Sequence, residues 1–282
     1  MSTGNTTPTH PHLHMHTHAH MLTVVKNGRL NPDVRLWTGI AAISVGLLTF
    51  AEFLVQALLV GARPALDDDR ALTEFMTRTA NQTLFTILID TFLMAALIVF
   101  ISGFRQLITH TRPDLQWVAN IMYGAGLLFI AVTLVGDAME GGTALDTMGL
   151  DPDASSLRAL TVGHTLMFGS IGCTLNALVA ASAAYLTIAS EALPKWTGYI
   201  AYAVAGLNLL SVPTMFGGTA PDSFFAAGGA ATAMLATFPW LVWVVCVGFV
   251  AIRDRRRLEH LSPALREQVG SEDEADAGAT AR

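Results

Sequence analysis

Six long apolar runs limit what this chain can fold into more than any other feature does. A helix needs about 20 mostly apolar residues, each rising about 1.5 Å, to cross about 30 Å of hydrocarbon. Only 13% of the 282 residues are charged, whereas soluble domains carry about 25%. The pattern predicts an all-α membrane protein, a bundle of six transmembrane helices. The runs are 36–61, 83–104, 115–136, 159–190, 196–216 and 225–252.

The segments outside the apolar runs are short and polar. Residues 1–35 are interpreted as a disordered, histidine-rich leader that precedes the six-helix domain 36–252. Residues 253–282 form a tail that is first basic and then acidic, and it is expected to be mostly disordered because it has little apolar surface to bury. Segment 62–82 mixes charged with apolar residues and predicts a short helix lying on the outer surface.

Basic residues near the ends of the runs predict the orientation, since Lys and Arg in short loops stay on the cytoplasmic side. We therefore expect both termini in the cytoplasm of a multi-pass protein of the bacterial inner membrane. The net charge of −6 is concentrated on the outer side, which disfavours nucleic acid as a partner and attracts small cations. The residues expected to be cytoplasmic are Lys26, Arg29, Arg35, Arg105, Arg112, Lys195, Arg253, Arg255, Arg256 and Arg257.

The leader contains a histidine at every second position. In an extended chain this period places all the imidazoles on one side, and neutral imidazole is a good ligand for zinc, copper or nickel. The pattern predicts a metal-binding tail; the alternatives are a polar leader without a role and an affinity segment derived from cloning. The predicted ligands are His10, His12, His14, His16, His18 and His20.

Three ionisable residues lie at a similar depth inside the apolar runs. Helix rise places Asp90 about 10 Å, Glu52 about 13 Å and His164 about 8 Å below the outer ends of their runs. Each is costly in hydrocarbon, so each is expected to face the interior of the bundle or a wet cavity. The predicted outward-opening pocket comprises Glu52, Gln56, Asp90 and His164, with Asp137 and Glu140 at its rim.

Two carboxylates and an imidazole can bind a transition metal, relay a proton or hold a cationic ligand. The alternative is a buried hydrogen-bonded network that only joins the first, second and fourth helices. The chain has no GxSxG, HExxH, Walker or CxxC motif, and this favours a protein that is not an enzyme.

Three segments together resemble a family of uncharacterised six-helix bacterial membrane proteins. They are an acidic outer loop ending in NQTLF, a second span with an internal Asp, and the turn LPKWTGYIAYAVAGLNLL that opens the fifth span. The resemblance covers residues 36–252 and implies six helices, but it supplies no activity and no catalytic residues. The histidine-rich leader is an addition to the family pattern.

The leading hypothesis is a membrane protein that binds or transports a small solute or cation through the outer pocket, with a link to protons. The alternatives are a membrane-embedded, metal-dependent enzyme acting on a lipophilic substrate and a structural or regulatory membrane subunit. A polar path that continues inward through Asn176 and Asn208 favours transport, metal-ligand geometry favours the enzyme, and dispersed side chains favour the subunit. The predicted partners are the lipid bilayer and a small cation or lipophilic solute, and no oligomeric state is predicted.

Overall fold

The computed structural model describes residues 32–149, 152–220 and 223–254. Within these ranges the protein is all-helical, and six helices are long and apolar enough to cross a membrane, which confirms the predicted fold class. The predicted leader with its six histidines and the tail beyond residue 254 lie outside the described residues. The six helices are α1 (Val34–Val60), α2 (Asp69–Thr111), α3 (Pro113–Gly149), α4 (Ala154–Ser190), α5 (Lys195–Phe216) and α6 (Thr232–Asp254).

The two faces of the bundle take their names from the predicted orientation. The outer face carries segment 61–68 and the start of α4, where the carboxylate of Asp153 caps the helix by accepting a hydrogen bond from the backbone N–H of Ser156 at 3.0 Å. The inner face carries the tight turn between α4 and α5, residues 191–194. These two helices form the hairpin that this turn predicts.

Helix α2 corrects the prediction of a separate surface helix in segment 62–82. It begins at Asp69 and runs without interruption for 43 residues. The carboxylate of Asp68 caps it by accepting from the N–H of Ala71 at 3.0 Å. The apolar residues of the segment are buried against protein and not against a membrane surface, so the helix continues outward from the span. Together they form a small outer cluster of Val60, Leu66, Leu72, Phe75, Met76 and Leu157.

Helix α4 lies at the centre of the bundle, as its many small residues predict. In its most apolar stretch 61% of the residues are buried, against 22–39% in the other five helices. Small side chains let neighbouring backbones approach closely, and in a bilayer this packing replaces the hydrophobic effect as the force between helices. Because α4 is central, it contacts neighbouring helices in both the outer and the inner half of the bundle.

The inner half of the bundle is tightly packed around Trp243, whose indole N–H is paired. The indole Nε1 of Trp243 donates to the backbone oxygen of Thr197 at 3.2 Å, and its ring meets the edge of Phe100 with centroids 6.2 Å apart. Between α1 and α6 the backbones touch, because a β-carbon on Gly248 would lie 3.0 Å from the carbonyl oxygen of Gly39. This close packing closes the inner half.

The outer half contains three π-helical segments, one each in α1, α4 and α6: Gln56–Val60, Met167–Ile171 and Thr232–Thr237. A π turn holds one more residue than an α turn, which rotates the side chains on either side of it, and such turns are frequent at functional sites. The first one ends at Gly61, whose φ of +81° suits glycine and lets the chain leave the helix. All three segments lie in the half that contains the cavity described next.

Candidate functional site

A cavity of about 80 Å³ lies in the outer half and mid-section of the bundle, and all six helices contribute to its walls. A water molecule needs about 10–15 Å³ of such volume, so the cavity has room for several waters or for one small solute. One residue from each helix, in chain order, illustrates the lining: Glu52, Asp90, Phe129, Asn176, Asn208 and Trp240.

The outer end of the cavity is acidic. Glu52 and Asp90 both line it, and Asp90 is only 3% exposed. The carboxyl group of Asp137, on α3, lies close to that of Asp90, and Glu52 is near enough to interact with both through its charge. Two carboxyl groups can hydrogen-bond to each other only when one of them carries a proton. These three side chains are called the carboxyl cluster below.

A second polar group lies on the outer side of the carboxyl cluster. The guanidinium of Arg63 forms an ion pair and hydrogen bond with Glu140, which is buried. His164 is close to both charges; its Nδ1 lies 3.0 Å from the backbone oxygen of Gly136, and its ring lies against Phe168 with centroids 4.7 Å apart. The histidine borders the cavity wall without lining the cavity itself.

The inner end of the cavity is lined by two asparagines at similar levels. Ser170 on α4 donates to the backbone oxygen of Val212 on α5 at 2.7 Å. From that contact Asn176 lies about 9 Å and Asn208 about 6 Å further inward by helix rise. Asn208 is fully buried and its Nδ2 donates to the oxygen of Val204 at 2.9 Å. We call Asn176, Asn208 and the indole of Trp240 the amide end.

The amide end contains buried polar atoms without partners. Within ranges 32–149, 152–220 and 223–254, the Oδ1 atoms of Asn176 and Asn208 and the Nε1 of Trp240 accept or donate no hydrogen bond. The three side chains are 6%, 0% and 7% exposed, in that order. A buried polar group without a partner costs about 1–3 kcal/mol, and a ligand or water in the cavity would remove this cost.

The π-helical segments shape the cavity directly. Phe168 belongs to the segment in α4, and Ala236 and Thr237 belong to the segment in α6. All three residues line the cavity. In α4 the backbone leaves helical geometry at Gly169, where ψ is −112°. The extra residue in each turn keeps these two helices from packing as regularly as they do further inward, and space for the cavity remains.

The predicted pocket residues occupy three different situations. Glu52 and Asp90 come together as expected, and Asp137 lies beside Asp90 because α3 continues outward past residue 136. Glu140 and His164 form the neighbouring group with Arg63, which the sequence reasoning did not include. Gln56 is exposed and does not line the cavity. It starts the π-helical segment of α1, and its backbone oxygen accepts from Gly61 N–H at 2.8 Å.

Two features of the site were not assigned from the sequence. Arg63 follows Gly61, where the chain leaves α1, and the guanidinium reaches back to Glu140 on α3. Trp240 follows Pro239 in the last apolar run, and nothing in the sequence around it indicates a cavity. Trp240 lines the cavity because of the rotation of α6 about its own axis, and this rotation cannot be predicted from residue spacing.

In the part of the chain that the structure describes, no group of three or more His, Cys, Asp or Glu side chains is placed to hold a metal ion. The predicted histidine ligands of the leader lie outside the described residues.

Neither family models nor curated proteins nor solved structures give a match to this chain, so no family is identified. The fold and the buried side chains alone define the class of protein. It is a multi-pass membrane protein with polar and acidic residues buried among its spanning helices.

Proposed function

We propose that the protein binds a small cationic solute in the cavity and exchanges it with the outer side of the membrane. The observation that carries the proposal is the carboxyl cluster, because two of its members line a cavity at membrane depth that has room for a solute. Charged side chains inside a membrane are costly and mark substrate and ion pathways. A bound cation would supply the opposite charge that makes the cluster favourable.

The charges around the cavity support a cation over an anion. Arg63 is paired with Glu140, so these two residues neutralise each other. In the described ranges Glu52, Asp90 and Asp137 form no salt bridge. A buried carboxylate without a basic partner either takes up a proton or binds a cation. The acidic surplus therefore lies in the cavity wall.

A link to protons follows from the pair formed by Asp90 and Asp137. Both carboxyl groups are buried and close together, and such a pair is most favourable when the two groups share one proton. A cation that enters beside Asp90 competes with that proton, since both are held by the same oxygens. We therefore expect the entry of one cation to release about one proton.

The aromatic walls favour an organic cation. Phe168 lines the cavity near the level of the carboxyl cluster, and Phe129 and Trp240 are neighbours further along the wall, with ring centroids 6.4 Å apart. The faces of aromatic rings attract cations through the ring quadrupole, and this attraction grows when water is excluded. An ion that also has an apolar part gains from the same surfaces.

Transport requires the inner half to open. The cavity continues inward to Asn176 and Asn208, the polar path that favours transport. Below these residues Phe100 and Trp243 close the bundle. In this proposal the closed inner half limits exchange of the bound solute to the outer side.

The proposal is tested by the binding of n-butylammonium chloride to the purified protein in detergent, measured by isothermal titration calorimetry. We expect saturable binding that is weakened at least about ten-fold by Glu52→Gln, since the variant removes one of the two carboxylates that line the cavity. Glu74→Gln, on the exposed face of α2, is the matched control and should leave the affinity unchanged. Absence of saturable binding in the unmodified protein would contradict the proposal.

The proton link has its own measurement. The same titration repeated in buffers with different heats of ionisation reports the number of protons released per bound cation. We expect about one proton at neutral pH, and less in Asp137→Asn, where a second carboxyl group no longer shares the proton. A value of zero in the unmodified protein would remove the proton link and leave cation binding standing.

A further inference from the structure

The two ends of the cavity differ in chemistry, and the difference specifies the solute. We propose that the ligand is a short amino alcohol, whose ammonium group binds at the carboxyl cluster and whose hydroxyl group binds at the amide end. The inference rests on the proposed function and adds the chemical class of the solute. It is carried by the unpartnered, nine-tenths buried polar atoms of Asn176, Asn208 and Trp240.

The distance between the two ends sets the length of the ligand. A β-carbon on Gly136 would lie 3.2 Å from the Phe168 ring, and the next residue, Asp137, belongs to the carboxyl cluster, so Phe168 lies near the level of that cluster. From Phe168 to Asn176 the helix rises at most about 12 Å, since part of this stretch is π-helical. With a hydrogen bond of about 2.9 Å at each end, this span leaves room for a chain of up to about four carbon atoms.

The amide end selects a hydroxyl group over other terminal groups. It presents two oxygens that accept hydrogen bonds and one indole N–H that donates. A hydroxyl group both donates and accepts, so it can pair with an asparagine oxygen and with Trp240 at once. A methyl group would leave these atoms unpaired, and sites built to bind a hydroxyl group discriminate strongly against analogues that lack it.

A second ammonium group at the amide end is also disfavoured. No carboxylate lines that end among the residues the structure describes, because the carboxyl groups of Glu52 and Asp90 lie at the outer level. A buried charge without an opposite charge is far more costly than a buried hydroxyl group. The indole N–H of Trp240 would in addition face a group that has no acceptor.

Between the two ends the wall is apolar. Leu93, Met94 and Leu97 line it from α2, and Phe129 and Trp240 line it from α3 and α6. Methylene groups of the ligand lie favourably along such side chains, each adding about 0.8 kcal/mol when buried. Polar, apolar and polar sections thus follow one another along the cavity as they do along an amino alcohol.

Calorimetric titration of the full-length protein with 4-amino-1-butanol, n-butylammonium and 1,4-diaminobutane tests the inference. All three are protonated at neutral pH and have the same carbon chain. We expect 4-amino-1-butanol to bind at least ten-fold more tightly than either of the others. Equal binding of n-butylammonium and 4-amino-1-butanol would overturn the inference while leaving the proposed function intact. Failure of all three to bind would overturn both.

Two variants locate the discrimination at the amide end. Asn208→Leu removes an acceptor at similar size, so the advantage of 4-amino-1-butanol over n-butylammonium should fall to about two-fold or less. Trp240→Phe removes the indole donor and should reduce the same advantage several-fold. An advantage that persists unchanged in both variants would place the hydroxyl group elsewhere and overturn the inference. The ligand comparison in the unmodified protein decides the matter even if a variant does not fold.

Discussion

Trp240 and Trp243 lie about one turn apart on α6, yet they belong to two different kinds of protein interior. The indole N–H of Trp243 is bonded to the oxygen of Thr197, and its ring is packed against Phe100. The indole N–H of Trp240 has no partner among the described residues, and its ring lines the cavity. Around Trp243 the inner half of the bundle is closely packed and the indole is hydrogen-bonded, whereas around Trp240 the outer half and mid-section contain a cavity and unpaired polar atoms.

The comparison shows how stability and function are divided along the membrane normal. Lipid tails are as apolar as leucine, so helices in a bilayer are held together by close packing and not by the hydrophobic effect. The inner half meets this requirement through backbone contacts such as that of Gly39 with Gly248. The outer half is packed less regularly at its π-helical segments, and it contains a cavity lined by carboxyl and amide groups.

The largest expected effect is on the packed inner half. Gly248→Leu forces a side chain against the backbone of α1 and should reduce the free energy of unfolding by about 3 kcal/mol. Gly206→Leu is the matched control, since a β-carbon on Gly206 has nothing within 4 Å among the described residues. Unfolding in mixed micelles with increasing dodecyl sulfate measures both. Equal destabilisation by the two variants would show that the inner contact is not specific.

A functional effect of nearly the same size is expected in the outer half. Asp90→Asn keeps the shape of the side chain but removes its charge, so the affinity for n-butylammonium should fall about 100-fold, which equals about 2.7 kcal/mol. The yield of folded protein should stay close to that of the unmodified chain. Asp67→Asn, in the exposed outer segment, is the control. Unchanged binding in Asp90→Asn would remove Asp90 from the site.

The two tryptophans provide a direct test of the difference between the inner and outer halves, with a smaller expected effect. Trp243→Phe and Trp240→Phe remove the same atoms, but only the first breaks a hydrogen bond within the described structure. We expect Trp243→Phe to cost about 1 kcal/mol more in the free energy of unfolding, measured without ligand. If Trp240→Phe is equally destabilising, the outer indole has a partner and the contrast between the halves is wrong.

The smallest effect is expected at the inner turn. Glu191 adopts a φ of +56°, a left-handed conformation that favours glycine at the end of a helix. The pKa of Glu191 is lowered by its hydrogen bond with the Lys195 ammonium. This pair therefore contributes stability above the unfolded pKa, and the contribution is lost as the pH falls. Glu191→Gly should raise the unfolding midpoint slightly at neutral pH and more at acidic pH. A lower midpoint at acidic pH would contradict the assignment of backbone strain.

The sequence predicted the six helices, and it placed Glu52 and Asp90 at a common depth, because hydropathy and helix rise depend only on position along the chain. It did not predict which side chains face the cavity. Gln56 follows Glu52 by one helical turn, but the π-helical segment that begins there leaves it exposed. Asp137 belongs to the carboxyl cluster only because α3 extends outward beyond the apolar run.

The amide end required the structure for a different reason. Asn176 and Asn208 are both polar residues within apolar runs, and the sequence indicated them only as a continuation of a path. They lie at similar depths in the bundle because of the register of the hairpin between α4 and α5. The hydrogen bond from the Ser170 hydroxyl to the backbone oxygen of Val212 shows this register. The rotation of α6 that brings Trp240 to the same place depends on packing with several helices at once.

The most direct measurement of the central claim uses a cysteine that the cavity already contains. Cys173 lines the cavity, and Cys246→Ser leaves it as the single thiol of the chain. In sealed vesicles, methanethiosulfonate ethylammonium is added to one face while a thiol scavenger is trapped on the other. We predict modification of Cys173 from the outer face, slowed at least about ten-fold by saturating n-butylammonium because the cation fills the same cavity. Modification that n-butylammonium does not slow, or that occurs only from the inner face, would contradict an outward-opening cation site.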